Sequence, residues 1–296
     1  MAVMASVQFF RGRALEGDFE FRSGRGYLGG KALPRWQILW SRKLNQAVLD
    51  GLPKSPPVHA RNDLTIAIPS GYRIGFESIF SLGQGAGHLL VIGPTGAGKS
   101  ELLHLALASL DGSVDLLIAD FKGGALITEN LRDARVVTDL DSDSSQVTFW
   151  NDLAETMKLR QQVLLAAGVA SWEQLERIGG GQGRALVVVD EAVSALRNST
   201  RASEVLCALA AKGRSLGVHL LITSQSLIGI PRELLVNMRS RLAIEGTDQV
   251  ELLQLGCKES ISRSQANERA AVLINDGSVQ KLAFPLGIRQ APQIAP

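Results

Sequence analysis

Eight consecutive residues, Gly93-Pro94-Thr95-Gly96-Ala97-Gly98-Lys99-Ser100, leave this chain little choice of architecture. They follow an apolar segment at 88–92 and open a segment at 99–110 with helical character. A triphosphate must be wrapped by backbone N–H groups at close range, which only glycines permit, and a helix N-terminus adds positive potential there. The run therefore reads as an ATP-binding phosphate loop. Lys99 is placed to reach the β and γ phosphates, and Ser100 to ligate Mg2+.

A phosphate loop alone implies nucleotide binding, not hydrolysis. The second half of a hydrolytic site is legible in Ala185-Leu186-Val187-Val188-Val189-Asp190-Glu191, a buried strand ending in two acids. In that pattern Asp190 holds Mg2+ through water and Glu191 polarises the attacking water as general base. A further apolar strand at 218–222 ends in Thr223-Ser224-Gln225. If it neighbours the Asp190 strand, Gln225 is placed to sense the γ-phosphate or orient the water; the alternative is an amide that caps its own loop.

Around these motifs, continuous apolar runs at 88–92, 114–119, 185–189, 218–222 and 241–244 alternate with helical periodicity at 99–110, 145–167, 202–212 and 248–255, and a short amphipathic turn at 171–178. Apolar runs of this kind suit a mostly parallel sheet covered by helices on both faces, hence an α/β fold. A closing pair is expected near 270–274 and 279–284, and a lead-in hairpin at 64–68 and 73–76. Two regions follow: a basic N-terminal arm at 1–60 and the ATPase domain at 61–296. The arm reads as a small hairpin formed by runs 7–10 and 19–22, then an amphipathic helix at 34–49 carrying Trp36 and Trp40, then a proline-rich linker at 51–57.

Composition excludes several function classes. Two separate cysteines, Cys207 and Cys257, supply neither a disulfide framework nor a zinc site and read as buried thiols. No segment reads as a secretory signal or as an uninterrupted bilayer span, so the chain is expected in the cytoplasm, with any membrane attachment through a partner. The net charge of +2 hides an asymmetry: residues 1–63 hold ten Lys/Arg against five Asp/Glu. That arm is either a solvated surface or a contact for nucleic acid or acidic lipid.

Four blocks together carry a resemblance. They are His88-Leu89-Leu90-Val91-Ile92 into the phosphate loop, Asp120-Phe121-Lys122-Gly123-Gly124, the Asp190-Glu191 strand, and Lys212-Gly213-Arg214-Ser215-Leu216-Gly217-Val218-His219-Leu220 into Thr223-Ser224-Gln225. In order and spacing they resemble the FtsK/SpoIIIE family of translocases, over roughly residues 64–286. The resemblance implies a RecA-like fold, a homo-oligomeric ring, hexameric when active, with ATP at subunit interfaces, and a polymer driven through the pore. It also implies that Arg241, or its neighbour Arg239, acts across the interface on the γ-phosphate. Glu245 departs from the family, standing where a second arginine or a neutral residue is usual. A chain ending soon after Phe284 also leaves no place for a winged-helix module.

Two cargoes fit. DNA, in a motor of the mobile-element or conjugative type, suits the standalone size and the basic arm. A secreted polypeptide, as in type VII secretion motors, suits the Leu159-Arg160-Gln161-Gln162 helix and the Phe form at Phe121, which the resemblance associates with those motors where DNA pumps carry Pro. A nucleotide-gated assembly factor with weak hydrolysis is the third reading.

Overall fold

The computed structural model describes residues 87–107, 110, 114–123, 126, 134–180, 183–262 and 268–285, together with strand segments between residues 7 and 81. The N-terminal strands are β1 (Val7–Gln8), β2 (Ala14–Leu15), β3 (Phe19–Arg22), β4 (Arg25–Leu28) and β5 (Lys31–Ala32). They correct the single hairpin expected from runs 7–10 and 19–22. β1 pairs with β2, and β3 instead pairs antiparallel with β4, which also pairs with β5. The partners in each pair lie closer in sequence than in the expected pairing, which lowers the entropy cost of closing the loop. The expected helix at 34–49 and the linker at 51–57 lie outside the described residues. The lead-in hairpin is present as β6 (Asp63–Ser70) and β7 (Arg73–Ser81), paired antiparallel with an irregularity between Leu64 and Thr65.

The main body is an eight-stranded sheet. Its strands are β8 (His88–Ile92), β9 (Asp115–Asp120), β10 (Arg135–Thr138), β11 (Ala185–Asp190), β12 (Val218–Ser224), β13 (Ser240–Ile244), β14 (Glu268–Asn275) and β15 (Ser278–Pro285). They run in the order β10-β9-β11-β12-β8-β13-β14-β15. The first six are parallel, and the β14–β15 hairpin closes the edge antiparallel.

Each central strand divides its side chains by the two-residue period of the pleat. Leu90 and Ile92, Val187 and Val189, and Leu220 and Ile222 enter one apolar cluster, while Leu89, Val91, Leu186, Val188 and Leu221 enter the other. The sheet is therefore buried on both faces, as its unbroken apolar runs require. Helix α1 (Lys99–Leu107) covers the second cluster with Leu102, Leu103 and Ala106. The first is covered by α2 (Asp143–Ala167) through Phe149, Trp150, Leu153 and Met157, and by further helices that complete the layer. These are α3 (Trp172–Arg177), α4 (Ala192–Asn198), α5 (Thr200–Lys212), α6 (Arg232–Asn237) and α7 (Gln249–Leu255). Ser142, Ser199 and Asp248 cap the N-termini of α2, α5 and α7 by accepting backbone N–H bonds, and Gly168 and Gly256 close α2 and α7 in left-handed conformation.

Strand ends decide where the chemistry lies. β9 ends on Asp120, one residue later than the apolar run at 114–119, and Asp120 pairs in register with Asp190. β12 continues past Ile222, so Thr223 and Ser224 stay in the sheet opposite Val91 and Ile92 of β8. The carboxyl ends of β9, β11 and β12 thereby gather Asp120, Asp190, Thr223 and Ser224 beside the loop that follows β8, where open α/β sheets bind their ligands.

Candidate nucleotide-hydrolysis site

The phosphate loop turns between β8 and α1 with Gly96 at φ 78° and Gly98 at φ 93°. Residues with a Cβ adopt such angles only under strain. Gly93 N donates to Ser224 O at 3.2 Å and Ala97 N to Pro94 O at 3.1 Å, which pins the loop to β12. Lys99 is buried, and its Nζ donates to Gly93 O at 2.5 Å and Pro94 O at 3.1 Å. The ammonium is thus folded onto the very loop that wraps phosphate. Burial lowers its pKa first, with Lys122 next, and Glu191 and Asp190 oppose the shift.

Asp190 is fully buried at the end of β11. Its Oδ1 accepts from Thr223 Oγ1, while Oδ2 has no hydrogen-bond partner. Burial raises its carboxyl pKa, and the Thr223 bond and the Lys122 charge act against that rise. An unpartnered anionic oxygen in a buried site fits a cation or a cation-bound water. Asp190 and Ser100 thus suit a Mg2+ ion, a site completed by water and phosphate rather than by clustered carboxylates.

Glu191 follows in left-handed conformation at φ 57°, ψ 60°, which for a residue with a Cβ costs about 1 kcal/mol. Two contacts hold it there. Its N–H donates to Thr223 Oγ1 at 3.0 Å, and its Oε2 accepts from Gln225 Nε2 at 3.0 Å. Gln225 in turn accepts from Thr95 Oγ1 at 2.9 Å. One amide thus bridges the phosphate loop and the Glu191 carboxylate, the position from which a water between them can be oriented.

Thr223 escaped sequence reading, because a strand-end threonine carries no motif of its own. It serves both acids at once, donating to one and accepting from the backbone of the other. The Asp120 block, quoted only as a motif, also gains a structural role. Asp120 accepts from Lys122 N at 2.9 Å and Leu126 N at 2.8 Å, and Phe121 N donates to Asp190 O at 3.2 Å. Phe121 is buried and stacks on Trp150 with centroids 6.5 Å apart.

Arg241 is bonded within its own chain. Its guanidinium donates to Met238 O, Leu255 O and Leu235 O at 2.9, 3.1 and 3.3 Å, capping the carboxyl ends of α6 and α7. That occupies it inside its own chain. Arg239 is the exposed arginine of the pair, 4.0 Å from Asp276. Glu245 turns inward, accepting from Ala270 N at 3.1 Å with Arg269 3.5 Å away, so it ties β13 to β14.

The family model of FtsK/SpoIIIE matches residues 49–273. The ESX-4 secretion system protein EccC4 of Mycobacterium tuberculosis is 35% identical over 188 residues, which is 57% of this chain and 15% of that protein. The type VII secretion system protein EssC of Staphylococcus aureus is 28% identical over 205 residues, 62% of this chain and 14% of that one. This chain therefore spans about a seventh of the length of either relative. Among solved structures, the cytoplasmic domain of the Thermomonospora curvata type VII secretion ATPase EccC superposes with a TM-score of 0.64 at 27% identity, over 80% of this chain and 30% of that one. The pCW3 conjugation coupling protein TcpA, in its monomer form with ATPγS, shares the fold with a TM-score of 0.63 at 18% identity, over 81% of this chain and 72% of that one. The phosphate loop, the Asp190-Glu191 strand end and the matched segment together place this chain in the FtsK/SpoIIIE family, as a P-loop ATPase domain of RecA-like fold.

Proposed function

We propose that this domain is the ATP-driven motor of a polypeptide-exporting assembly of the type VII kind, one station of a homo-oligomeric ring. Glu191 accepts the proton of the attacking water, and Gln225, bonded to the same carboxylate, helps to orient that water. Lys99 leaves the carbonyls of Gly93 and Pro94 for the β and γ phosphates when ATP enters. Ser100 and Asp190 would hold Mg2+, which when bound would supply charge neutralisation on those phosphates. Arg239, exposed beside β13, is the candidate to reach a neighbouring subunit's nucleotide, since Arg241 is held by three carbonyls.

The observation that carries the polypeptide reading is Phe121. Its N–H bonds Asp190 O and its ring stacks on Trp150, two contacts that a proline there lacks. Both relatives above are secretion proteins, which supports the same cargo. Among the described residues no helix is long and apolar enough to cross a membrane. Duplex DNA remains the second reading, on the basic balance of residues 1–63.

ATP turnover of the wild type, Lys99→Ala and Glu191→Gln, each with and without duplex DNA at low salt, separates these. Both variants should lose about 100-fold or more in rate, the scale of removing a transition-state contact. DNA should leave the wild-type rate unchanged, and the immobilised domain should retain a small helical secreted protein. A several-fold stimulation by DNA would transfer the assignment to a DNA motor. An unchanged rate in Glu191→Gln would remove Glu191 as the base.

A further inference from the structure

Gln225 reaches Glu191 from the first turn of a loop, and what fixes that loop lies outside the motifs. Ser224 Oγ donates to Ser226 O at 2.7 Å, and Ile228 N donates to Ser226 Oγ at 3.1 Å. One atom on α7 then anchors the turn. Glu251 Oε1 accepts from Ser226 Oγ at 2.5 Å and from Leu227 N at 2.7 Å. A carboxylate with two such donors is a strong, directional clamp.

The same N-terminal end of α7 lies against the phosphate loop. Gly246, at φ 86°, leads from β13 into the helix, and a Cβ there would stand 2.9 Å from Pro94 Cγ. Thr247 Oγ1 donates to Ile244 O at 2.6 Å, and Asp248 caps the helix by accepting from Val250 N at 2.8 Å. The contacts close a circuit. Pro94 abuts Gly246, α7 carries Glu251, Glu251 holds the residues after Gln225, and Gln225 returns to Thr95 of the phosphate loop and to Glu191.

From this circuit we infer that Glu251 is a positioning residue for hydrolysis, setting Gln225 against Glu191 and tying that setting to the phosphate loop through α7. Glu251 bonds neither Gln225 nor Glu191 directly; its hydrogen bonds go to Ser226 and Leu227. Movement of the loop at Pro94 on nucleotide entry reaches Gln225 by two routes, directly through Thr95 and through α7. The inference rests on Glu191 being the base, as proposed above.

The test uses single and double variants of the whole chain. In Glu251→Ala both donors lose their acceptor; in Glu251→Gln the amide oxygen can accept both. Glu251→Ala should lower kcat about tenfold, the scale of a sub-ångström misplacement of a catalytic group, with KM for ATP within about twofold of wild type. Glu251→Gln should restore most of kcat. Gln225→Ala should be as slow as Glu251→Ala or slower, and the double variant no slower than Gln225→Ala, because the two act as one unit. Amide exchange supplies a readout independent of turnover: residues 225–230 should exchange faster in Glu251→Ala while 218–223 keep wild-type protection.

Multiplying effects in the double variant would overturn the inference, as would wild-type kcat in Glu251→Ala or unchanged exchange at 225–230. Loss of rate in Glu191→Gln together with multiplying Gln225 and Glu251 effects would sink this inference alone. An unchanged rate in Glu191→Gln would sink the reading of the base beneath it.

Discussion

Replacing Thr223 by valine removes one oxygen and, at nearly constant volume, no packing. That oxygen does two jobs in a fully buried place: it donates to the Asp190 carboxylate and accepts the Glu191 N–H. A bond to a charged group is worth about 1.5–3 kcal/mol, and an orphaned buried N–H costs about 1–3 kcal/mol. Allowing for overlap, Thr223→Val should destabilise the domain by about 3 kcal/mol. For a domain of this size that is a fall in Tm of roughly 6–12 °C, readable by calorimetry. The chemistry moves too. The Thr223 bond holds the Asp190 pKa down against burial, so losing it raises that pKa further. Because Mg2+ binding requires the ionised carboxylate, the acid limb of the turnover profile should shift to higher pH. The freed Glu191 backbone also loses one of the two contacts that hold its left-handed conformation. Thr223→Ser keeps both bonds and loses only a methyl, worth about 1 kcal/mol, so it should recover most of the stability and the wild-type pH profile. A Thr223→Val protein melting within about 1 °C of wild type would refute the reasoning. So would a serine variant as unstable as the valine one.

Two further outcomes follow from burial. A carboxyl whose folded pKa is raised binds its proton more tightly folded than unfolded, so the ionised Asp190 costs stability above that pKa, and the cost fades as pH falls toward the unfolded value of 3.8. Asp190→Asn should therefore melt above wild type at pH 8 without Mg2+, with the gap closing on acidification, while ATP turnover is lost; a gap independent of pH would contradict this. Gly217 tests the scaffold instead: it sits at φ 67°, and a Cβ there would lie 2.5 Å from the Trp172 ring. Gly217→Ala should cost about 2–4 kcal/mol in chemical denaturation yet leave kcat per folded molecule near wild type, because Trp172 lies at the opposite ends of the strands from the nucleotide.

What the sequence could and could not disclose follows from how far apart partners lie along the chain. β8, α1 and β11 were legible because each carries its own signal, an unbroken apolar run or glycines at positions that need positive φ. β10 was not: it is a four-residue edge strand with Arg135 and Val136 exposed, so no periodicity marks it. α4 was missed because it starts directly after Glu191, a cap residue whose left-handed conformation is supported by Thr223 and Gln225 from the next strand end. Arg160 makes the point most sharply. In sequence it is one polar residue of a long helix, yet it is buried, lies 4.2 Å over the Trp172 ring and donates to the carbonyls of Gly183, Leu216 and Gly217. Those acceptors are backbone atoms up to 57 positions away, and a backbone carbonyl has no letter in a sequence. The same limit decided Arg241, whose three carbonyl partners no motif announces. Side chains that meet ligand through a contiguous motif can be read in advance; those that meet backbone across the fold cannot. In this site the division falls within one strand end: Gln225 was legible as a candidate, whereas Thr223 and Glu251, which set the acids and the glutamine in place, became visible only once the strands were paired.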